Sequence, residues 1–132
     1  MAITFSLPGD PVPQPRPRVS TAGGFARAYV PKDHAIHGYR QAVALAAKAA
    51  GLKQATAPVS VIIDAVFARP KSHINKSGVK ATAPRLPRPD VDNIGKAVLD
   101  ALQEVMGDDT NVSRLVVEKT YGTEGRTTVR VT

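Results

Sequence analysis

The chain has 132 residues, with 18 Lys and Arg against 11 Asp and Glu, a formal charge of +7 and a pI near 10.1. One domain of this size can bury a core of its own, and the basic excess points to a polyanionic partner, nucleic acid ahead of an acidic membrane surface. The absence of Cys excludes disulfides, thiolate zinc sites and Cys nucleophiles. No apolar run approaches the length of a membrane span, and no basic segment followed by an apolar one opens the chain, so a cytoplasmic protein without a membrane partner is expected.

In chain order, Ile3 to Leu7 alternates weakly and reads as a strand. Five prolines follow within ten residues (Pro8, Pro11, Pro13, Pro15 and Pro17). Their fixed φ and missing N–H groups forbid a helix or a central strand, which predicts an extended basic arm over residues 8–18 carrying Arg16 and Arg18. Gly23 and Gly24 suggest a turn, and Phe25 to Val30 a short extended piece. A helix is predicted over His34–Ala50, capped by Asp33 and stopped by Gly51, with Ile36, Tyr39, Val43, Ala46, Ala47 and Ala50 on one stripe. Val59 to Ala68, rich in β-branched residues and bounded by Pro58 and Pro70, reads as a buried strand.

Residues 70–89 show little periodicity and read as a mobile basic loop. A second helix is predicted from about Asn93 to Val105, with Ile94, Ala97, Val98, Ala101, Leu102 and Val105 as its apolar face and Gly107 as its stop. Val112–Tyr121 and Arg126–Thr132 read as strands joined by a tight turn at 122–125. The order predicts one α+β domain over residues 1–132. It is a two-layer β-α-β-α-β-β arrangement with a mixed sheet and two helices packed on it.

Charge is unevenly spread. From Ala65 to Pro89 lie six basic residues (Arg69, Lys71, Lys76, Lys80, Arg85 and Arg88) and no acidic one. From Asp90 to Asp109 lie six of the eleven acidic residues: Asp90, Asp92, Asp100, Glu104, Asp108 and Asp109. Carboxylates gathered beside a phosphate-binding segment would repel the phosphate unless a divalent cation neutralised them. Pro89 holds the chain extended, so Asp90 and Asp92, two apart, are expected to face the same way. Asn93, Lys96 and Asp100 form the polar stripe that follows. If the strand after the helix returned Asp109, or Asp108 and Asp109, to the helix N-terminus, three or four carboxylates would converge without His or Cys. Such an all-oxygen site suits Mg²⁺ or Mn²⁺ and water activation for phosphodiester hydrolysis, with Lys96 at the scissile phosphate or leaving oxygen.

The bland alternative stands beside it. Asp is common at a helix start, Lys96 and Asp100 can pair at i, i+4, and Asp108-Asp109 next to Gly107 is ordinary turn chemistry. The basic segment and Arg16 and Arg18 would contact DNA backbone, or else form a solvated loop and an arm paired with acids. Few aromatics are present, which argues against a single-strand stacking platform; Phe25 and Tyr29 are the ones least clearly assigned to the core. His34 and His37 lack further zinc ligands, and Ser60 and Ser113 lack His-Asp partners.

The stretch Arg88-Pro89-Asp90-Val91-Asp92-Asn93-Ile94-Gly95-Lys96-Ala97-Val98-Leu99-Asp100-Ala101-Leu102 resembles the signature of the RusA family of Holliday junction resolvases, often carried by phages and prophages. Gly107-Asp108-Asp109-Thr110-Asn111-Val112 resembles that family's second acidic block. The strand bearing Lys119 and the Pro- and Arg-rich arm from Pro13 to Arg18 are similar too. The resemblance implies a homodimeric, Mg²⁺-dependent endonuclease that acts on four-way junction DNA in recombination and repair, with no nucleotide cofactor. It implies Asp90, Asp92 and Asp109 as metal ligands and catalytic carboxylates, Lys96 as the catalytic lysine, and Asn93, Asp100 and Asp108 in support.

Overall fold

The computed structural model describes residues 2–132. Its central sheet has four strands, β1 (Ile3–Pro8), β4 (Val59–Ala68), β7 (Val112–Gly122) and β8 (Arg126–Val131), in the order β1-β8-β4-β7. The α1 helix (Ala35–Ala49) lies between β1 and β4 in sequence, and α2 (Val91–Met106) between β4 and β7. β4 and β7 are parallel, the arrangement that a helical crossover permits, whereas β1–β8 and β4–β8 are antiparallel. The mixed sheet and two helices of the sequence reading are therefore present.

Period-two patterning decides which face is covered. Val61, Ile63, Ala65 and Phe67 of β4 are buried, and their cross-strand partners include Val129 and Val131 on β8 and Val117 on β7. Of the intervening residues Asp64 is exposed, whereas Ile62 and Val66 are half-buried. β4 is thus central in the sheet, fully buried on one face and partly covered on the other, where the charged Asp64 is open to solvent. Onto the covered face α2 lays Ile94, Ala97, Val98, Ala101 and Leu102, all at 1% exposure or less. The predicted stripe and the observed one coincide there. α1 adds Ile36, Val43 and Ala47, and also Ala44, whereas Ala50 is exposed.

The cap of α1 differs from expectation. His34, not Asp33, is the N-cap, its Nδ1 accepting from the Ile36 N–H at 3.0 Å. At the other end Gly51, at φ +96°, closes a Schellman motif: its N–H donates to the Lys48 carbonyl and that of Leu52 to the Ala47 carbonyl.

Gly95 sits on the buried face of α2 against β7. A Cβ there would lie 3.1 Å from Val117 and 3.4 Å from Leu115. Gly95→Val is expected to push α2 off the sheet and destabilise the fold by about 1–3 kcal/mol, read as a lower urea midpoint.

The one fully buried polar side chain among the described core residues, Thr127, is bonded through its hydroxyl to the Tyr39 hydroxyl of α1 at 2.7 Å. Burial pushes the Tyr39 phenol above its ordinary value, partly offset by the Thr127 hydrogen bond. A group whose pKa rises on folding stabilises the fold below its unfolded pKa, near 10, and loses that contribution as pH climbs through the folded value. Wild type is therefore expected to lose stability above about pH 10 more steeply than Tyr39→Phe, as urea midpoints between pH 9 and 11 would report.

Two short hairpins stand outside the sheet. β2 (Arg18–Ser20) pairs with β3 (Arg27–Tyr29), and β5 (Ile74–Asn75) with β6 (Gly78–Val79). The second falls inside the 70–89 segment read as an irregular loop. A 3-10 turn at Lys71–His73 and the Asn75 Oδ1 accepting from the Ser77 N–H shape it, local side-chain chemistry that hydrophobic periodicity does not register. The Pro-rich arm is also anchored. Asp10 Oδ1 accepts from the Ala68 N–H at 2.8 Å, Pro11 is buried, and the Gln14 N–H donates to the Asn93 carbonyl at 2.9 Å. Any side chain at Gly125 would collide with Asp10, so that glycine lets the arm cross the sheet end.

Candidate active site

The N-terminus of α2 collects the residues of the acidic motif. The helix begins at Val91, two residues earlier than predicted, so Asp90 is the N-cap and Asp92 already lies in the first turn. The extended alternation expected of this pair therefore stops at Asp90. Asp90 holds the cap through its backbone, its carbonyl accepting from the Ile94 N–H at 3.1 Å, while its carboxylate makes no capping bond. An N-cap Asp ordinarily uses its carboxylate on the first free N–H groups. Here that carboxylate is exposed and uncommitted at the positive end of the helix dipole. Asp92 Oδ1 accepts from the Asn93 N–H at 2.9 Å.

One turn on, Lys96 Nζ lies 3.6 Å from Asp100 Oδ2, with Lys96 mostly exposed and Asp100 mostly covered. The i, i+4 pairing weighed from the sequence is thus present. Asp92, Lys96 and Asp100 follow one another at four-residue intervals along a single helix face. Two further residues brace this end. Lys119 Nζ, from the inward face of β7, donates to the Pro89 carbonyl at 2.9 Å and holds the residue just before Asp90. The arm crosses at Asn93 through Gln14, which brings Arg16 to the same end of the helix. Lys119 as a brace is legible only in part: Leu115, Val117, Lys119 and Tyr121 share one strand face, and a lysine among them needs a reason. Gln14 gives no sequence signal.

The second acidic block lies at the far end of α2. Gly107, at φ +85°, ends the helix; Asp108 caps a 3-10 turn over Asp109–Asn111, its Oδ1 accepting from the Thr110 N–H at 3.1 Å. Sixteen helical residues span about 24 Å. β7 does run back alongside α2, but Asp109 precedes that strand and stays where it starts. What the returning strand carries to the α2 N-terminus is Lys119. Convergence of Asp109 with Asp90 and Asp92 inside one chain, which the sequence allowed only if the returning strand carried Asp109 with it, is therefore not what this fold produces. Among the described residues no three His, Cys, Asp or Glu side chains lie together in a way that could hold a metal ion.

Arg88 stands two residues before Asp90, at the end of the basic 70–89 segment that leads into α2. Arg16, Arg18, Lys71, Lys76, Lys80, Arg85 and Arg88 are exposed. Arg69 is half-buried and engaged: its Nη1 donates to the Pro84 carbonyl at 3.0 Å, and its guanidinium stacks 4.2 Å from the Tyr121 ring centre. Arg27, exposed on β3 opposite Ser20, adds a cation absent from the sequence-based set.

Comparison with known proteins gives a match to the family model described as Endodeoxyribonuclease RusA over residues 8–132. The chain belongs to the RusA endodeoxyribonuclease family. It is also similar to the uncharacterized protein YqaN of Bacillus subtilis (strain 168), with 35% identity over 136 aligned residues that cover 98% of this chain and 94% of that protein. The RusA match takes in the arm, both acidic blocks and every bracing residue named above, so the features at the α2 N-terminus sit inside the region that defines the family.

RusA membership implies Holliday junction DNA as the family's substrate. The donor chemistry at Asp90 and Asp92 suits a hard cation, all oxygen and free of competing caps at Asp90. One chain supplies only that pair, not the three-carboxylate set. No helix among the described residues is long and apolar enough to cross a membrane.

Proposed function

We propose that the protein is a Mg²⁺-dependent, structure-selective DNA endonuclease that resolves Holliday junctions by paired symmetric nicks during recombination and repair. It acts as a homodimer, with Mn²⁺ able to replace Mg²⁺. The uncommitted Asp90 carboxylate beside Asp92, at the helix N-terminus that the basic 70–89 segment leads into, carries this reading. Carboxylates in that setting work against DNA binding unless an ion accompanies the phosphate.

The two-ended distribution of acids favours a site completed across the dimer. Asp90 and Asp92 would supply two ligands and Asp109 of the partner subunit the third, Asp108 shaping its turn. A two-fold dimer then holds two such sites, which matches the two equivalent cuts a four-way junction requires. When bound, a divalent ion would neutralise charge and lower the pKa of water enough for it to lose a proton and supply a hydroxide nucleophile. The chain's own residues do the rest. Lys119 fixes Pro89 and thereby Asp90. Lys96, held in reserve by Asp100, turns to the phosphate as a compact cation. Arg16, Arg18, Arg69, Lys71, Lys76, Lys80, Arg85 and Arg88 neutralise neighbouring phosphates and fix the register of the duplex arms.

The testing experiment is cleavage of a mobile four-way junction, a flap and a linear duplex, each with Mg²⁺ or EDTA. Symmetric nicks in the junction with Mg²⁺ and none with EDTA are expected. Faster cleavage of the flap would move the substrate to other branched DNA. Binding without any nicking in Mg²⁺ or Mn²⁺ would make the protein a non-enzymatic DNA binder, the reading favoured by the resting Lys96–Asp100 pair.

A further inference from the structure

The β5–β6 hairpin forms one wall of a groove of about 600 Å³ lined by Ala68, Arg69, Lys71, Ile74, Val79 and Tyr121 among others. Ile74 and Val79 are direct partners across the hairpin, and both remain about half exposed, at 48% and 58%. Two aliphatic side chains presented together by a hairpin with no core beneath it are not explained by folding. Opposite them stands Tyr121, with the Arg69 guanidinium stacked on its ring and the His73 ring edge-on at 5.6 Å. That stack is held from outside as well, because Arg69 is bonded to the Pro84 carbonyl. The groove is thus apolar between its walls, flat and cationic on one side, and rimmed by Lys71 in a stretch without any acidic residue from 65 to 89.

An occupant that fits must be apolar and planar yet attached to anions. A neutral peptide would gain nothing from the basic rim, and a free phosphate nothing from Ile74 and Val79. A nucleobase on its sugar-phosphate chain satisfies both, since bases stack on tyrosine rings and guanidinium planes and fit between apolar side chains when taken out of a helix. Position agrees. Tyr121 follows Lys119 by two residues on the same strand face, a step of about 7 Å, and Lys119 holds Pro89 beside Asp90.

We propose that this groove receives one unpaired nucleobase of the DNA substrate, drawn from the stack beside the cut, and that it sets the nucleotide preference there. The proposal rests on the nuclease reading for the word cut. The base-binding step itself does not require cleavage, so the two can fail separately.

The test is a scan in which single abasic sites replace each nucleotide around the crossover of a four-way junction, with binding measured in EDTA. The proteins compared are wild type and the double variant Ile74→Ala, Val79→Ala, whose side chains wall the groove but lie outside the core and apart from the carboxylates and lysine assigned to cleavage. In wild type one abasic position is expected to weaken binding about tenfold more than its neighbours. In the variant that position should cost no more than the rest, the non-additivity expected of groups in contact. Nicking of the four junctions that differ only in the base at that position, in Mg²⁺, should show a preference in wild type that the variant loses. A flat abasic profile in wild type, or the same peak in both proteins, overturns the groove assignment even if nicking is robust. A peak that the variant abolishes, with no nicking of any substrate, upholds the base site and removes the nuclease reading.

Discussion

Asp90→Asn and Asp92→Asn, made singly, are expected to bind a four-way junction within about threefold of wild type and to lower nicking in Mg²⁺ by about a thousandfold, near 4 kcal/mol of transition-state stabilisation. The substitution keeps side-chain volume and removes one negative charge. Asp90 caps α2 with its backbone carbonyl rather than its carboxylate, so helix and fold do not depend on the ionised group. The mutation also takes a negative charge away from the phosphate path, which by itself favours DNA. Loss of cleavage with binding intact therefore has one reading, a carboxylate required in the reaction step. An Asn variant that nicks at the wild-type rate ends the assignment of that residue, and one that loses binding instead assigns it to DNA recognition.

How far the sequence spoke for itself differs between the ends of α2. The helix and its inward stripe were legible because burial leaves a direct trace at 3.6-residue spacing, and Ile94 to Leu102 pack as that trace requires. β4 was legible in extent but not in its uneven burial, where Asp64 is exposed between half-buried Ile62 and Val66. The hairpin at 74–79 escaped because four residues in strand carry no period, and their turn is set by a single Asn side chain. At the site, the N-terminal cluster follows from contiguous residues: Asp90, Asp92, Lys96 and Asp100 are positioned by one helix start. The bracing by Lys119 and Gln14 depends on which strand edge and which arm residue arrive there, and such long-range contacts have no local signature. The same gap left the place of Asp109 open. A returning strand was foreseen, but where the acidic turn stood relative to that return is a matter of chain order along β7. The turn comes before the strand and so remains at the far end.

That separation leads to the most discriminating result expected. Asp90→Asn and Asp109→Asn proteins should each be inactive alone, yet recover nicking when the two are unfolded together and refolded as a mixture. If Asp109 serves its own chain, every site in the mixture lacks one carboxylate and no activity returns. If it serves the partner subunit, a mixed dimer pairs the intact Asp90 and Asp92 of the Asp109→Asn chain with the intact Asp109 of the other. That gives one complete site and one lacking both groups. With random pairing about half the dimers are mixed, so about a quarter of the wild-type complement of sites is restored. The products distinguish this further. A dimer with a single competent site nicks one strand, so nicked junctions should accumulate in place of paired, symmetric cuts. Full activity of Asp109→Asn by itself would leave Asp90 and Asp92 to act without it. Silence of the mixture, with both single variants inactive and mixed dimers verified by differential tags, would remove the shared site. In that case a rearrangement within one chain would have to close the 24 Å length of α2.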